Sequence, residues 1–202
     1  MFITRHTRLG DVKLRDRLWE FYKRAYSGNP ILPTTELVNR AEFDDTLLNS
    51  TNRVWVVWDG DRPVVMTLIA TDIGSTRWLN SEYFRRHHAD RMARGQVHYV
   101  MWVVVDPDVE LRGANVALAK EALTAEARDG ALLVFDVPDT HQPDDSGGAA
   151  ELMLRMAKIV GEVELVPLAA VRYYALDFAR NASKRGNDDT DNIVEVMSTP
   201  AT

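Results

Sequence analysis

Val97-His98-Tyr99-Val100-Met101-Trp102-Val103-Val104-Val105 sets one imidazole among eight apolar or aromatic side chains. A strand without polar alternation is covered on both faces, so this stretch predicts the centre of a sheet. Asp106-Pro107-Asp108 stops it. Residues 113–128 follow, rich in Ala, Leu, Glu and Lys, which is a strong helix composition, and Gly130 is the stop signal. Residues 131–137 read as a second buried strand. Strand, helix and strand in that order form most simply a right-handed parallel crossover, which makes the fold α/β (α+β).

The flanks extend this unit on both sides. Phe2 to Thr7 reads as a first strand, and Asp11 caps a helix whose Leu14, Leu18, Phe21, Tyr22 and Ala25 share one face. Gly28-Asn29-Pro30 ends that helix. A second helix is expected from Thr34 or Thr35 through Leu37, Ala41 and Leu48. Residues 53–58 and 63–70 are β-branched and aromatic strands joined by the hairpin signal Asp59-Gly60-Asp61-Arg62. Within 71–97, Asn80 or Ser81 caps a helix over 82–94 that Gly95 closes. After a loop at 141–148, a helix over 149–160 and strands at 162–166 and 171–178 complete the domain. Residues 179–202 are polar and are expected to be an unstructured tail.

At 202 residues, 46% hydrophobic, the chain suits one domain with a core of its own. The absence of cysteine excludes a disulfide framework, thiolate metal sites and a cysteine nucleophile. A net charge of −6 gives no general help toward nucleic acid or anionic membranes, so neither is expected as a partner. The start lacks the apolar core of a secretory signal. The longest apolar run, 99–105, is far short of the roughly 20 residues that span a bilayer. The expectation is a cytoplasmic globular protein. No His-x-x-x-His spacing points to a metal, and no Gly-x-x-x-x-Gly-Lys-Ser/Thr or Gly-x-Ser-x-Gly motif occurs.

A helix start behind a glycine points backbone N–H groups and positive partial charge outward, which suits a pyrophosphate. Here that would be the backbone of Leu111, Arg112, Gly113, Ala114, Asn115 and Val116, with Arg112 adding a full charge; the alternative is an ordinary glycine turn. The site stands at the carboxyl end of a buried strand, where open α/β sheets bind ligands. The element order, Val103-Val104-Val105-Asp106-Pro107, Arg112-Gly113 and Gly161-Glu162-Val163 together resemble the GNAT superfamily of CoA-dependent N-acyltransferases over residues 2–178. The resemblance implies a mixed central sheet of about seven strands with flanking helices, with 71–97 as a helical insertion. It also implies acetyl-CoA or another acyl-CoA as cofactor, its pantetheine arm along Val103, Val104 and Val105 and the end of 131–137. The family pattern Arg/Gln-x-x-Gly-x-Gly/Ala is only partly kept in Glu110-Leu111-Arg112-Gly113-Ala114-Asn115. Met101 and Ala157 stand where many members carry a catalytic Glu and Tyr, and neither can move a proton.

Substitutes for those groups are present in the sequence. His98, with an ordinary pKa near 6.5, is a base or a histidine satisfied at a strand end. Asp136 is an isolated acid in an apolar run, which is a base or a structural hydrogen-bond partner. Tyr173 and Tyr174 point to opposite faces of the last strand, so one of them is a candidate acid and both are candidate packing residues. Asn29, in the 28–34 loop, and His141 are candidate substrate contacts or plain loop residues. Tyr83 and His87, on the arginine-rich insertion, line either a lid for an anionic acceptor or long acyl carrier, or an amphipathic surface helix. The expected activity is transfer of an acetyl or other acyl group from CoA to an amine of a small molecule or protein. The rivals are a GNAT-like binding protein without transfer, and an acyltransferase served by an acyl-carrier protein.

Overall fold

The computed structural model describes residues 1–27, 37–108, 113–137 and 148–169. The chain divides into Met1–Val166 and Pro167–Thr202, and every element named below belongs to the first unit. β1 (Phe2–His6) leads into α1 (Val12–Ser27) and α2 (Arg40–Leu48), and β2 (Asn52–Asp59) and β3 (Arg62–Ala70) form a hairpin. A 3-10 turn (Ile73–Ser75), α3 (Ser81–His87) and α4 (Ala89–Ala93) precede β4 (Val97–Val105). Then come α5 (Ala114–Asp129), β5 (Leu132–Val134) and α6 (Ala149–Ala157).

The sheet runs β1-β2-β3-β4-β5, antiparallel except for the parallel β4–β5 pair. α1 and α2 cover one face. There Leu18, Phe21, Tyr22, Phe43 and Leu47 meet Val54, Val56, Met66, Leu68, Trp102 and Val104. Each such burial is worth about 1.5–3 kcal/mol. The Asp11 cap, whose Oδ1 accepts from Leu14 N–H at 3.2 Å, is worth about 1 kcal/mol, so α1 is held mainly by its face. α5 covers the other face, where Leu118 and Ala122 pack on Trp55, Val57, Val65, Ile69 and Val100.

Val100 and Trp102 therefore lie on opposite faces although they are two residues apart. A regular strand would put them on the same face. The register explains the inversion: Ile69 pairs with Val100 and Leu68 with Trp102, which leaves Met101 as the extra residue of a β-bulge. Past the bulge β4 bends, and its parallel pairing with β5 ends at Tyr99↔Val134.

Several expectations are corrected by these elements. Five strands pair in the sheet among the described residues; of the about seven expected, the one at 171–178 lies outside them. Residues 162–166 alternate in polarity but lie exposed, without a strand partner among the described residues; alternation defines a face and does not supply a neighbour. The strand expected over 131–137 is only Leu132–Val134, because β4 turns away from it. α2 begins at Arg40 rather than near Thr34, since Asn39 supplies the cap by accepting from Glu42 N–H at 3.0 Å. The insertion holds two short helices, broken at His88, and each has its own anchor. Phe84 is buried in α3, and Arg91 of α4 donates to Gly130 O at 2.7 Å. β4 is not covered on both faces throughout, for Val103 and Val105 are exposed. The strand expected at 171–178 and the 179–202 tail lie outside the described residues.

Candidate active site

The carboxyl half of β4 has one open side. Asp106 N–H donates to Val64 O at 2.9 Å. In an antiparallel ladder the hydrogen-bonding residues alternate, so Trp102 and Val104 also turn their backbone groups toward β3. Val103 and Val105 then turn their N–H and C=O away from it. No described strand pairs with them on that side, because β5 has already parted from β4. Their side chains, 54% and 36% exposed, lie on the α5 face beyond the cover that α5 provides. The result is a slot with apolar walls and polar backbone rims. Val104 points the other way, into the α1–α2 core.

The next described element along the chain is α5. Gly113 caps that helix at φ +80°, a left-handed conformation that an L side chain adopts only at a cost of about 1–2 kcal/mol. The first in-helix bond runs from Ala117 N–H to Gly113 O at 3.0 Å. Ala114, Asn115 and Val116 form the first turn, whose dipole favours an anion. Leu111 and Arg112 lie outside the described residues.

Asp106 fixes the floor of this end. Its side chain is wholly buried, and Oδ2 accepts from Arg62 at 2.6 Å and Arg24 at 3.0 Å. Its Oδ1 accepts from Asp108 N–H at 3.0 Å, an Asx turn that reverses the chain. Burial alone would raise its pKa. The Asp108 N–H and the Arg62 and Arg24 guanidiniums outweigh that effect and hold the carboxyl below its usual range. In the sequence the residue reads as a strand stop; its anchoring role depends on arginines far away in the chain.

At the point where β4 and β5 part, Tyr99 O–H donates to Asp136 Oδ1 at 2.5 Å. Asp136 is exposed, and its second oxygen accepts no hydrogen bond among the described residues. Tyr26, in the last turn of α1, packs at a tilt on Tyr22 with ring centroids 4.7 Å apart, and the Tyr22 ring lies 5.6 Å from that of Trp102. Burial first, then Tyr22 and the Asp136 charge, push the Tyr26 hydroxyl up to about 12. α1, β4 and the residues after β5 thus put Tyr99 in hydrogen bond with Asp136 and Tyr26 within reach of the Asp136 charge. Neither tyrosine is singled out in the sequence reading.

The other candidates fall elsewhere. His98 is buried at the opposite end of β4, with Nδ1 facing Glu126 and Nε2 facing Gly95 O at 3.1 Å. Neither nitrogen is left to take a proton from a substrate. Arg53 reaches the same Glu126 at 2.6 Å and also pairs with Asp129. His98 is therefore a structural residue that ties β4 to α5. Tyr83 and His87 are exposed, with their rings tilted against each other and centroids 4.6 Å apart. The insertion's arginines are already engaged: Arg85 and Arg86 with Glu82, Arg94 with Gln96, Arg77 with Glu42 and Arg91 with Gly130 O. Gly130 lies at the far end of α5, about 26 Å from Gly113 at 1.5 Å per residue. Asn29, His141, Tyr173 and Tyr174 lie outside the described residues. Among the described residues no cluster of His, Asp or Glu is arranged to hold a metal ion, and no helix is long and apolar enough to cross a membrane.

No sequence family and no curated protein matches the chain. Solved structures that align with most of its length are acetyltransferases. One is an aminoglycoside acetyltransferase from an uncultured soil metagenomic sample, in complex with sisomicin. It is 14% identical, at a TM-score of 0.49, over 87% of this chain and 96% of that one. Another, an aminoglycoside N-acetyltransferase in complex with CoA, is 10% identical at 0.46, over 86% and 100%. A ribosomal-protein-alanine N-acetyltransferase from Brucella melitensis biovar Abortus is likewise 10% identical at 0.46, over 86% and 100%.

Proposed function

We propose that the protein is a GNAT-like N-acyltransferase that takes an acyl group from CoA and passes it directly to an amine. The observation that carries this reading is the end of β4–β5 pairing at Tyr99↔Val134 while β4 continues to Val105. An extended, amide-bearing arm fits such a slot. The backbone of Val103 and Val105 can pair with its amides, and their exposed side chains lie along its apolar stem. The first turn of α5 suits the pyrophosphate. When bound, an acyl-CoA supplies an activated thioester; the acetyl group is the simplest case.

The chain's own residues do the rest. Val103 and Val105 orient the arm. Asp136 accepts the ammonium proton through its open oxygen, and Tyr99 holds the carboxylate in place. Asp136 thus stands in for the base that Met101 cannot supply. The insertion contributes no anion-binding lid, so a small-molecule or protein amine is preferred to an acyl-carrier protein or an anionic acceptor.

Calorimetric titration with acetyl-CoA and with CoA tests the cofactor. Binding of both, with turnover across an amine panel, is the expected outcome. Absence of binding removes the proposal, and binding without turnover makes the protein a CoA-binding module instead.

A further inference from the structure

Tyr99 and Asp136 meet where β4 leaves β5, and the Asp136 charge reaches a third polar group, Tyr26. Asp136 has an open oxygen, and the Tyr99 hydroxyl is engaged in holding it. The third is the half-buried Tyr26, whose hydroxyl makes no hydrogen bond among the described residues. Its ring is fixed against Tyr22, and through Tyr22 against Trp102, the residue just past the Met101 bulge. A phenol O–H held rigidly beside a bend in β4, with no acceptor of its own, is a donor prepared for one.

We infer that the Tyr26 hydroxyl is the hydrogen-bond donor to the carbonyl oxygen of the acyl group during transfer. The inference rests on the acyltransferase reading and adds a catalytic residue to it. The amine nitrogen attacks the acyl carbon after its ammonium proton has passed to Asp136. The C–N bond forms and the carbonyl oxygen takes up negative charge facing Tyr26. The carbonyl then re-forms, the C–S bond breaks, and its electron pair leaves on sulfur. The second nitrogen proton passes to that sulfur, and Asp136 returns its own proton to water. Tyr26 keeps its proton throughout. A phenol that ionises only near 12 remains a donor at every working pH, and Asp136 helps keep it so. Donors aimed at a developing oxyanion are worth about 100- to 1000-fold in rate.

Two measurements test this. Tyr26→Phe keeps the ring on Tyr22, so its melting temperature should stay near that of the parent. Its kcat should fall about 100-fold, with KM for acetyl-CoA little changed. Separately, 3-fluorotyrosine placed at position 26 should shift its fluorine resonance with acetyl-CoA and much less with CoA, which lacks the carbonyl. A Tyr26→Phe variant with parental kcat, or equal fluorine shifts with both ligands, overturns the inference while leaving the acyltransferase reading in place. If the parent protein binds neither ligand, the acyltransferase reading fails first and takes the inference with it.

Discussion

Asp106 carries more of the site's geometry than its size suggests. Its carboxylate stabilises the fold because its pKa lies below the ordinary 3.8. That stabilisation is complete above the ordinary value and is lost as pH falls through the depressed folded value. Acid titration of stability should therefore show a loss below about pH 4 that is shallower in Asp106→Asn. At neutral pH the same variant should be less stable by roughly 2 kcal/mol, the worth of charge-assisted hydrogen bonds, as read by urea unfolding. Asp136 gives a contrasting result, since it is exposed and its loss should leave stability nearly unchanged. Asp136→Asn should lower kcat/KM for the amine by at least about 100-fold at neutral pH, measured by release of free CoA thiol. Of these residues, Asp136 was legible as a lone acid in an apolar run. Tyr26 and Tyr99 were not, because an aromatic on a buried face looks the same whether or not its hydroxyl has a task. For His98 the sequence leaves a base and a satisfied histidine both open, because it hides Glu126, which lies 28 residues further along.

Among the elements, β4 was legible from end to end and its bulge was not. Composition gives the extent of an apolar strand, while a bulge exists only in the pairing with β3, which one strand's sequence does not contain. α5 was legible for the same reason as β4, and both of its glycine ends stand where expected. What holds α5 down at its C-terminal half was hidden: the Arg53–Glu126–His98 cluster joins β2, α5 and β4. Glu126 is only 4% exposed in its side chain. Arg53→Met should leave that carboxylate without its guanidinium and cost about 3 kcal/mol. A lower urea midpoint with an unchanged slope would show it. Because the cluster is remote from the slot, CoA affinity in the folded variant should match that of the parent.

At the scale of the whole molecule, the slot couples ligand binding to stability. CoA at 100 times its Kd should add about 2.7 kcal/mol. For a chain of this size that raises the melting temperature by roughly 8 °C. Val103→Glu sets a charge in the slot at an exposed position. It should leave the melting temperature of the ligand-free protein unchanged and remove most of the CoA-induced rise, both read in one thermal-shift series. The slot has a second consequence, for solution behaviour. A strand that offers N–H and C=O groups along one side is a template for another chain, and proteins ordinarily blunt such edges with charge or cover. Val103 and Val105 provide neither. Solubility and occupancy are therefore linked: concentrated ligand-free protein should cloud with time, and CoA should keep it clear by occupying the edge that a second molecule would otherwise take.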